Sequence, residues 1–196
     1  IKNGKGTKLD DLDIETSHFF FLFPDNSALN FILANKVVLV EGNAEYILLD
    51  SFYNHLIKKE MYKNDIAMIS VGGLSFKRYL ELAQKLDKKV VVITDNDKDY
   101  KKNITDQYAD YISSSIQVYA PKEQDQYTLE VSLYKCNDEF LDKYLQTPQM
   151  RNGTQDYMLK NKAEAAFRIL NILEEDNRYS EFNIPAHIER AYKWIS

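Results

Sequence analysis

The sequence predicts an α/β fold, a mainly parallel sheet of about four strands flanked by helices, with a helical appendage at the C-terminal end. Three observations predict it. Lys36-Val37-Val38-Leu39-Val40 and Lys89-Val90-Val91-Val92-Ile93 are short apolar runs, each led by lysine and closed by carboxylates. Short β-branched runs bounded by turn formers are the pattern of buried parallel strands. Between and after them, apolar residues recur at helical spacing. Third, Glu41-Gly42 follows the first run and Thr94-Asp95-Asn96-Asp97 follows the other. Ligands of open α/β sheets bind outside the carboxyl ends of the strands. Two neighbouring strands ending in this way would direct three carboxylates into one crevice. That much negative charge requires a compensating cation, and hard oxygen ligands select Mg2+ or Mn2+.

The bulk numbers narrow the classes. A chain of 196 residues is one domain, or one domain with an appendage. At 44% hydrophobic it can bury a core, which argues against disorder. The net charge of −5 counts against a large nucleic-acid surface but leaves room for a local basic patch. The single cysteine, Cys136, rules out an intramolecular disulfide or a multi-cysteine zinc cage and suggests an intracellular, cytoplasmic protein. No run has the length of a membrane span, and no signal peptide is visible. The chain begins at Ile1 rather than Met and is expected to be a piece of a longer protein.

Taken in order, residues 1–18 are polar, with an acidic cluster of Asp10, Asp11, Asp13 and Glu15, and are expected to be a solvated tail. Phe19–Phe23 suits a strand, Pro24-Asp25-Asn26-Ser27 a turn, and Ser27 the cap of a short helix to Leu33. So many phenylalanines must pack on this domain or on a neighbour. After the first strand, Asn43 suits the cap of a helix from Ala44 to about Lys59. Glu45 in its first turn suits the helix dipole and equally reaches back toward the strand end. Ile66–Val71 is the second strand, closed by Gly72-Gly73, and Ser75 suits the cap of a helix to Leu86. Lys77 and Arg78 at its start are expected to be solvated. No phosphate-loop spacing occurs, so no ATP site is expected. On the third strand, a period of two would point Asp95 and Asp97 to one side. Asp99 and the lysines Lys98, Lys101 and Lys102 follow on a polar loop. A short helix is expected near Thr105–Tyr111, then a fourth strand, Ser115–Ala120. Thr128 suits an N-cap with Glu130 in the first turn. Helices are expected over Asp138–Leu145, Gln155 to about Asn177, and Pro185–Trp194. Lys160 and Lys162 fall near the start of the long one.

A Val-Glu-Gly strand end, a βα unit, and Asp-x-Asp about fifty residues later resemble the Toprim signature of topoisomerases, bacterial primases and several nucleases. The lead-in from Ala28 to Phe31, then Asn35 through Glu45, is similar to the start of the Toprim domain in OLD (overcoming lysogenisation defect) family ATP-dependent nucleases. Glu41 and Glu45 match that family's Glu-x-x-x-Glu, Asp95 and Asp97 its Asp-x-Asp, and Thr128 and Glu130 its Ser/Thr-x-Glu element. Lys162-Ala163-Glu164-Ala165-Ala166 matches its Lys-x-Glu-x-Ala helix. The usual aromatic after Lys-x-Glu is Ala165 here, with Phe167 two later, which leaves Lys160 and Lys162 as alternatives. The resemblance covers residues 28–176. It implies a Toprim, Rossmann-like fold and a divalent-metal-dependent endonuclease acting on DNA. It further implies an ATPase domain of the parent chain as partner, and a setting in phage defence. The expected organisation is a junction over 1–34, a Toprim core over 35–135, and a helical part over 136–196 completing the site.

On this reading Glu41, Glu45, Asp95, Asp97, Thr128 and Glu130 hold one or two Mg2+ or Mn2+ ions. Glu41, Asp95, Asp97 and Lys162 carry the catalysis, the lysine by neutralising the scissile phosphate. None of the 14 tyrosines can be assigned as a topoisomerase nucleophile, which favours water as the attacker. The zinc-binding domain of primases is missing, and the aspartyl-phosphate motif of phosphatases is absent. The rival from another class is a non-catalytic Toprim module for nucleic-acid binding or assembly. Homo-oligomerisation, substrate specificity and the number of metals are left open by the sequence.

Overall fold

The computed structural model describes residue 8 and residues 11–22, 27–72, 76–148 and 150–196. Four parallel strands, β1 (Lys36–Val40), β2 (Ile66–Ser70), β3 (Lys89–Ile93) and β4 (Ile116–Tyr119), form one sheet in the order β2-β1-β3-β4. Sheet position explains the sequence of the two central strands. Val37–Val40 and Val90–Val92 are fully buried, because helices cover both faces, and alternate residues serve opposite cores.

Val38, Val40, Val91 and Ile93 face one core. It is closed by α3 (Asn43–Ile57), α5 (Leu129–Cys136), α6 (Asp138–Tyr144), α7 (Thr154–Lys160), α8 (Lys162–Glu175) and α9 (Ala186–Ile195). Val37, Leu39, Val90 and Val92 face the other, beneath α1 (Ile14–Leu22), α2 (Ser27–Leu33) and α4 (Phe76–Leu86). The C-terminal helices therefore belong to the layer that covers the sheet, with α8 packed along α3 and α9 across β3 and β4. No helix of the described residues is long and apolar enough to cross a membrane.

The lysines that lead the central strands have a specific task. Lys36 Nζ donates to Ser196 O at 2.7 Å. Lys89 Nζ donates to Trp194 O at 2.7 Å and Ile195 O at 3.3 Å and lies 4.8 Å from the Trp194 ring. Together they satisfy the last carbonyls of α9, which have no partner within the helix. Replacing Lys89 by methionine is expected to cost about 1–2 kcal/mol, hence a melting temperature lower by roughly 2–8 °C at this chain length. An unchanged melting temperature would refute the role.

Several expectations are corrected. The aromatic segment is helix, not strand: α1 runs Ile14–Leu22, while Phe23 and the turn at Pro24–Asn26 lie outside the described residues. The segment before it is not simply a solvated tail. Leu12 and Thr16 are buried, and Phe19 and Phe20 meet Tyr79 edge-on at 6.2 and 5.3 Å. Phe31 is fully buried, whereas Phe21 is 78% exposed. Arg78 is not merely solvated, since its guanidinium lies 4.7 Å from the Phe19 ring. Gly73 and Ser75 lie outside the described residues.

The cap of α3 is Gly42, not Asn43, which is already helical. The helix expected near Thr105–Tyr111 is a π turn over Lys101–Asp106 that continues to Tyr108. The single long helix expected from Gln155 to Asn177 is two, α7 and α8, broken at Asn161 (φ −130°, ψ 49°). Asn161 Nδ2 folds back onto Tyr157 O at 3.0 Å. The signal was present: Asn161 followed three residues later by Glu164 is the pattern that starts a helix rather than continues one.

Candidate metal centre

The order in which strands are added switches sides between β1 and β3: β2 lies to one side of β1, and β4 on the far side of β3. This switch point is where an open α/β sheet leaves a crevice at the carboxyl ends of its strands. Val40 pairs with Ile93, so Glu41 and Thr94 leave the sheet side by side, with Asp95 one residue beyond. The neighbouring Thr94 side chain, which the sequence reading did not single out, helps to lower the Glu41 carboxyl against the rise from burial.

The first turn of α3 returns Glu45 to the crevice. Its Oε2 accepts from Gly42 N–H at 3.1 Å, and the side chain is 7% exposed. The Gly42 position is narrow: a Cβ there would meet Glu45 Oε2 at 3.4 Å. Glu130 arrives from the connection after β4, in the first turn of α5. Thr128 caps that helix, its Oγ1 accepting from Val131 N–H at 3.3 Å. Glu130 is only 2% exposed.

Breaking α7 from α8 separates the two candidate lysines. Lys160 is exposed on α7 and pairs with Asp156 one turn back, at 2.8 Å. Lys162, the first residue of α8, places Nζ 3.1 Å from Glu130 Oε2. Among the described residues this ion pair is the contact made by the Glu130 carboxylate, whose two oxygens are otherwise buried without a partner.

Asp95 and Asp97 are placed differently from the simple alternation expected of them. The strand ends at Ile93, and Asp97 (φ 47°) and Lys98 (φ 69°) are both left-handed. Backbone in this region costs about 1–3 kcal/mol per non-glycine residue and persists only where its surroundings impose it. The residue between the two aspartates, Asn96, is fully buried.

The electrostatics mark these groups as one cluster. Burial pushes the Asp95 carboxyl up to about 8, with Glu45, Glu41 and Glu130 adding to the rise. Glu41 is raised by burial and then by Asp97. Glu45 is raised by burial, with Glu130 and Glu41 adding to it. Burial pulls Lys162 down, but Glu130, Asp95 and Glu45 outweigh it and hold its ammonium charged. One lysine against five acids leaves a deficit of positive charge. Among the described residues no three acidic, histidine or cysteine side chains stand together as a ready-made ion cage. The donor set nevertheless fits a hard cation: all its members are carboxylate or hydroxyl oxygens, and among the described residues the buried Glu130 carboxylate has Lys162 alone against it.

Residues 32–97 match the family model for the TOPRIM domain of overcoming lysogenization defect (OLD) protein-like proteins. Over that segment the chain is similar to an OLD-like Toprim domain. The matched segment runs from the end of α2 through β1, β2 and β3 to Asp97. Solved structures share its fold. The C-terminal region of the Burkholderia pseudomallei OLD protein is 19% identical with a TM-score of 0.60, over 83% of this chain and 96% of that one. The C-terminal region of the Xanthomonas campestris pv. campestris OLD protein is 18% identical with a TM-score of 0.55, over 85% and 94%. No curated protein matches the chain at a significant level. The four-stranded parallel sheet flanked by helices is the Toprim-like fold that the sequence predicted.

Proposed function

We propose that the Toprim crevice hydrolyses DNA phosphodiester bonds with the help of one or two divalent ions, Mg2+ or Mn2+. The observation that carries this reading is the gathering of Glu41 and Asp95 from adjacent strand ends with the buried Glu45 and Glu130, faced by Lys162 at 3.1 Å from Glu130. Burial and the neighbouring acids push the Asp95 carboxyl up to about 8. Carboxyls raised by burial and then by one another are relieved by a bound cation as they are by a proton. Glu41, Glu45, Asp95, Asp97 and Glu130 are the proposed ligands. The Thr128 hydroxyl, already engaged as the cap of α5, is the sixth candidate oxygen. The chemistry that such ions supply is activation of a water and stabilisation of the leaving oxygen.

The chain's own residues do the rest. Gly42 and the first turn of α3 hold Glu45 at the crevice wall. Lys162 keeps its ammonium at the rim, where it offsets charge developing on the scissile phosphate. With water as the attacking group, no tyrosine nucleophile is needed. The same reading places the domain in a larger ATPase–nuclease, in the cytoplasm, with DNA as partner and phage defence as setting.

The test is plasmid cleavage with Mg2+ or Mn2+ by this chain, by Glu41→Ala and by Asp95→Ala. Cleavage that requires metal and disappears in both variants is the expected result. An intact chain that neither cleaves nor binds metal would overturn the nuclease reading in favour of a non-catalytic nucleic-acid-binding module.

A further inference from the structure

The geometry points to Asn96 as the positioning residue of the crevice, clamping the Asp95–Asp97 turn to the loop that delivers Glu130. The inference rests on the metal-crevice reading above. Asn96 is fully buried although it lies between two acids at the mouth of a polar site. Both donors of its amide are used, and the oxygen accepts one bond. Nδ2 donates to Pro121 O at 2.8 Å and to Glu123 O at 2.9 Å. Oδ1 accepts from Lys98 N–H at 2.7 Å, and the Asn96 carbonyl accepts from Asn103 Nδ2 at 3.0 Å.

Two features separate this from ordinary burial. The first is where the bonds lead. Pro121 and Glu123 begin the connection that ends at the Thr128 cap and Glu130. A further bond joins the same two loops, from Asp97 N–H to Tyr127 O at 3.3 Å, and Lys98 Nζ lies 4.3 Å from the Tyr127 ring. The turn bearing two candidate ligands is thus fastened at both ends of the segment leading to a third. The second feature is the backbone: Asp97 and Lys98 are consecutive left-handed residues without glycine. Such a turn needs external restraint, which the bonds from Asn96 Nδ2 to Pro121 O and Glu123 O supply, while the bond from Lys98 N–H to Asn96 Oδ1 closes the turn locally.

Asn96 touches neither substrate nor metal on this account. It fixes the spacing between the aspartates of β3 and the glutamate of α5, the spacing an ion bridging them would read. Groups that orient metal ligands from outside the coordination shell typically change metal affinity 10–100-fold when removed.

The experiment is a Mn2+ titration followed by the electron paramagnetic resonance signal of the free ion, on the whole chain and on three variants. Asn96→Asp keeps the size and the Oδ1 acceptor but removes both donors; Asn96→Ala removes the clamp entirely. Lys89→Met, which weakens the distant end of α9, controls for general loss of stability. Both Asn96 variants are expected to bind Mn2+ at least about tenfold more weakly, and Lys89→Met to bind as the unaltered chain does. If neither Asn96 variant folds, Asn103→Ala, which removes only the bond to the Asn96 carbonyl, is expected to weaken binding about two- to fivefold, in the direction of the larger loss. Folded Asn96 variants that bind within twofold of the unaltered chain overturn the positioning role and leave the crevice reading standing. So does an unchanged Asn103→Ala, where it is the variant that folds, or a Lys89→Met that loses as much as Asn96→Asp. An unaltered chain that binds no Mn2+ overturns both.

Discussion

Asp95→Asn is expected to make the metal-free protein more stable at pH 8 than the unaltered chain, and to flatten its stability between pH 5 and pH 8. The folded Asp95 carboxyl sits at about 8, against an ordinary value of 3.8. Between those limits the folded chain binds a proton that the unfolded chain has lost. Stability linked to this group is therefore fully present below about pH 4 and lost as pH rises through 8. Burial raises Glu41 and Glu45 as well, so they act in the same direction. The side chain of Asp95 is partly exposed, and solvent screening limits the effect to on the order of 2–3 kcal/mol. At this chain length that is a melting temperature roughly 4–12 °C higher for the variant at pH 8.

Divalent metal should then reverse the ranking. An ion that binds only the folded state stabilises it in proportion to RT ln(1 + [L]/Kd), a gain available to the carboxylate and reduced in the amide. Thermal unfolding at pH 5 and pH 8, with and without Mn2+, measures all four cases. A melting temperature of the metal-free chain that is flat with pH, or an amide variant that is no more stable at pH 8, would show that Asp95 ionises without strain.

Lys162→Met is expected to lower metal-dependent cleavage by about 10²–10³-fold, the typical cost of removing one preorganised charge from a transition state. Lys160→Met is expected to stay within about twofold, because Lys160 lies on α7 and pairs with Asp156, a surface contact worth little. The Lys162 variant also leaves Glu130 buried without its cation. Its stability should therefore fall, and Mn2+ should restore part of the loss. Initial rates at saturating metal, with melting temperatures recorded alongside, separate catalysis from folding. Equal rates for the two variants would place neither lysine at the scissile phosphate.

The strands, the crevice and most of its acids were legible in the sequence. Runs such as Val37–Val40 and Val90–Ile93 are written by burial on both faces, and acids at strand ends have few structural uses. The resemblance through Glu41, Glu45, Asp95, Asp97 and Glu130 pointed to groups that the structure couples electrostatically. What the sequence left open was decided by contacts between residues far apart in it. Whether Lys160 or Lys162 faces Glu130 depended on a helix break at Asn161, which turns the two lysines onto different helices. Whether the phenylalanines of α1 pack or face solvent depended on Tyr79 and Arg78, some sixty residues away. Asn96 resembled any turn-forming residue until the loop from Pro121 to Tyr127 was folded against it. By itself, then, the sequence determined the period, the burial and the chemistry of each element, because these are local properties of side chains. Only the tertiary structure decided which lysine meets Glu130, which residue caps α3 and which amide ties the two loops together, because each depends on the free energy of meeting a partner that local pattern does not encode.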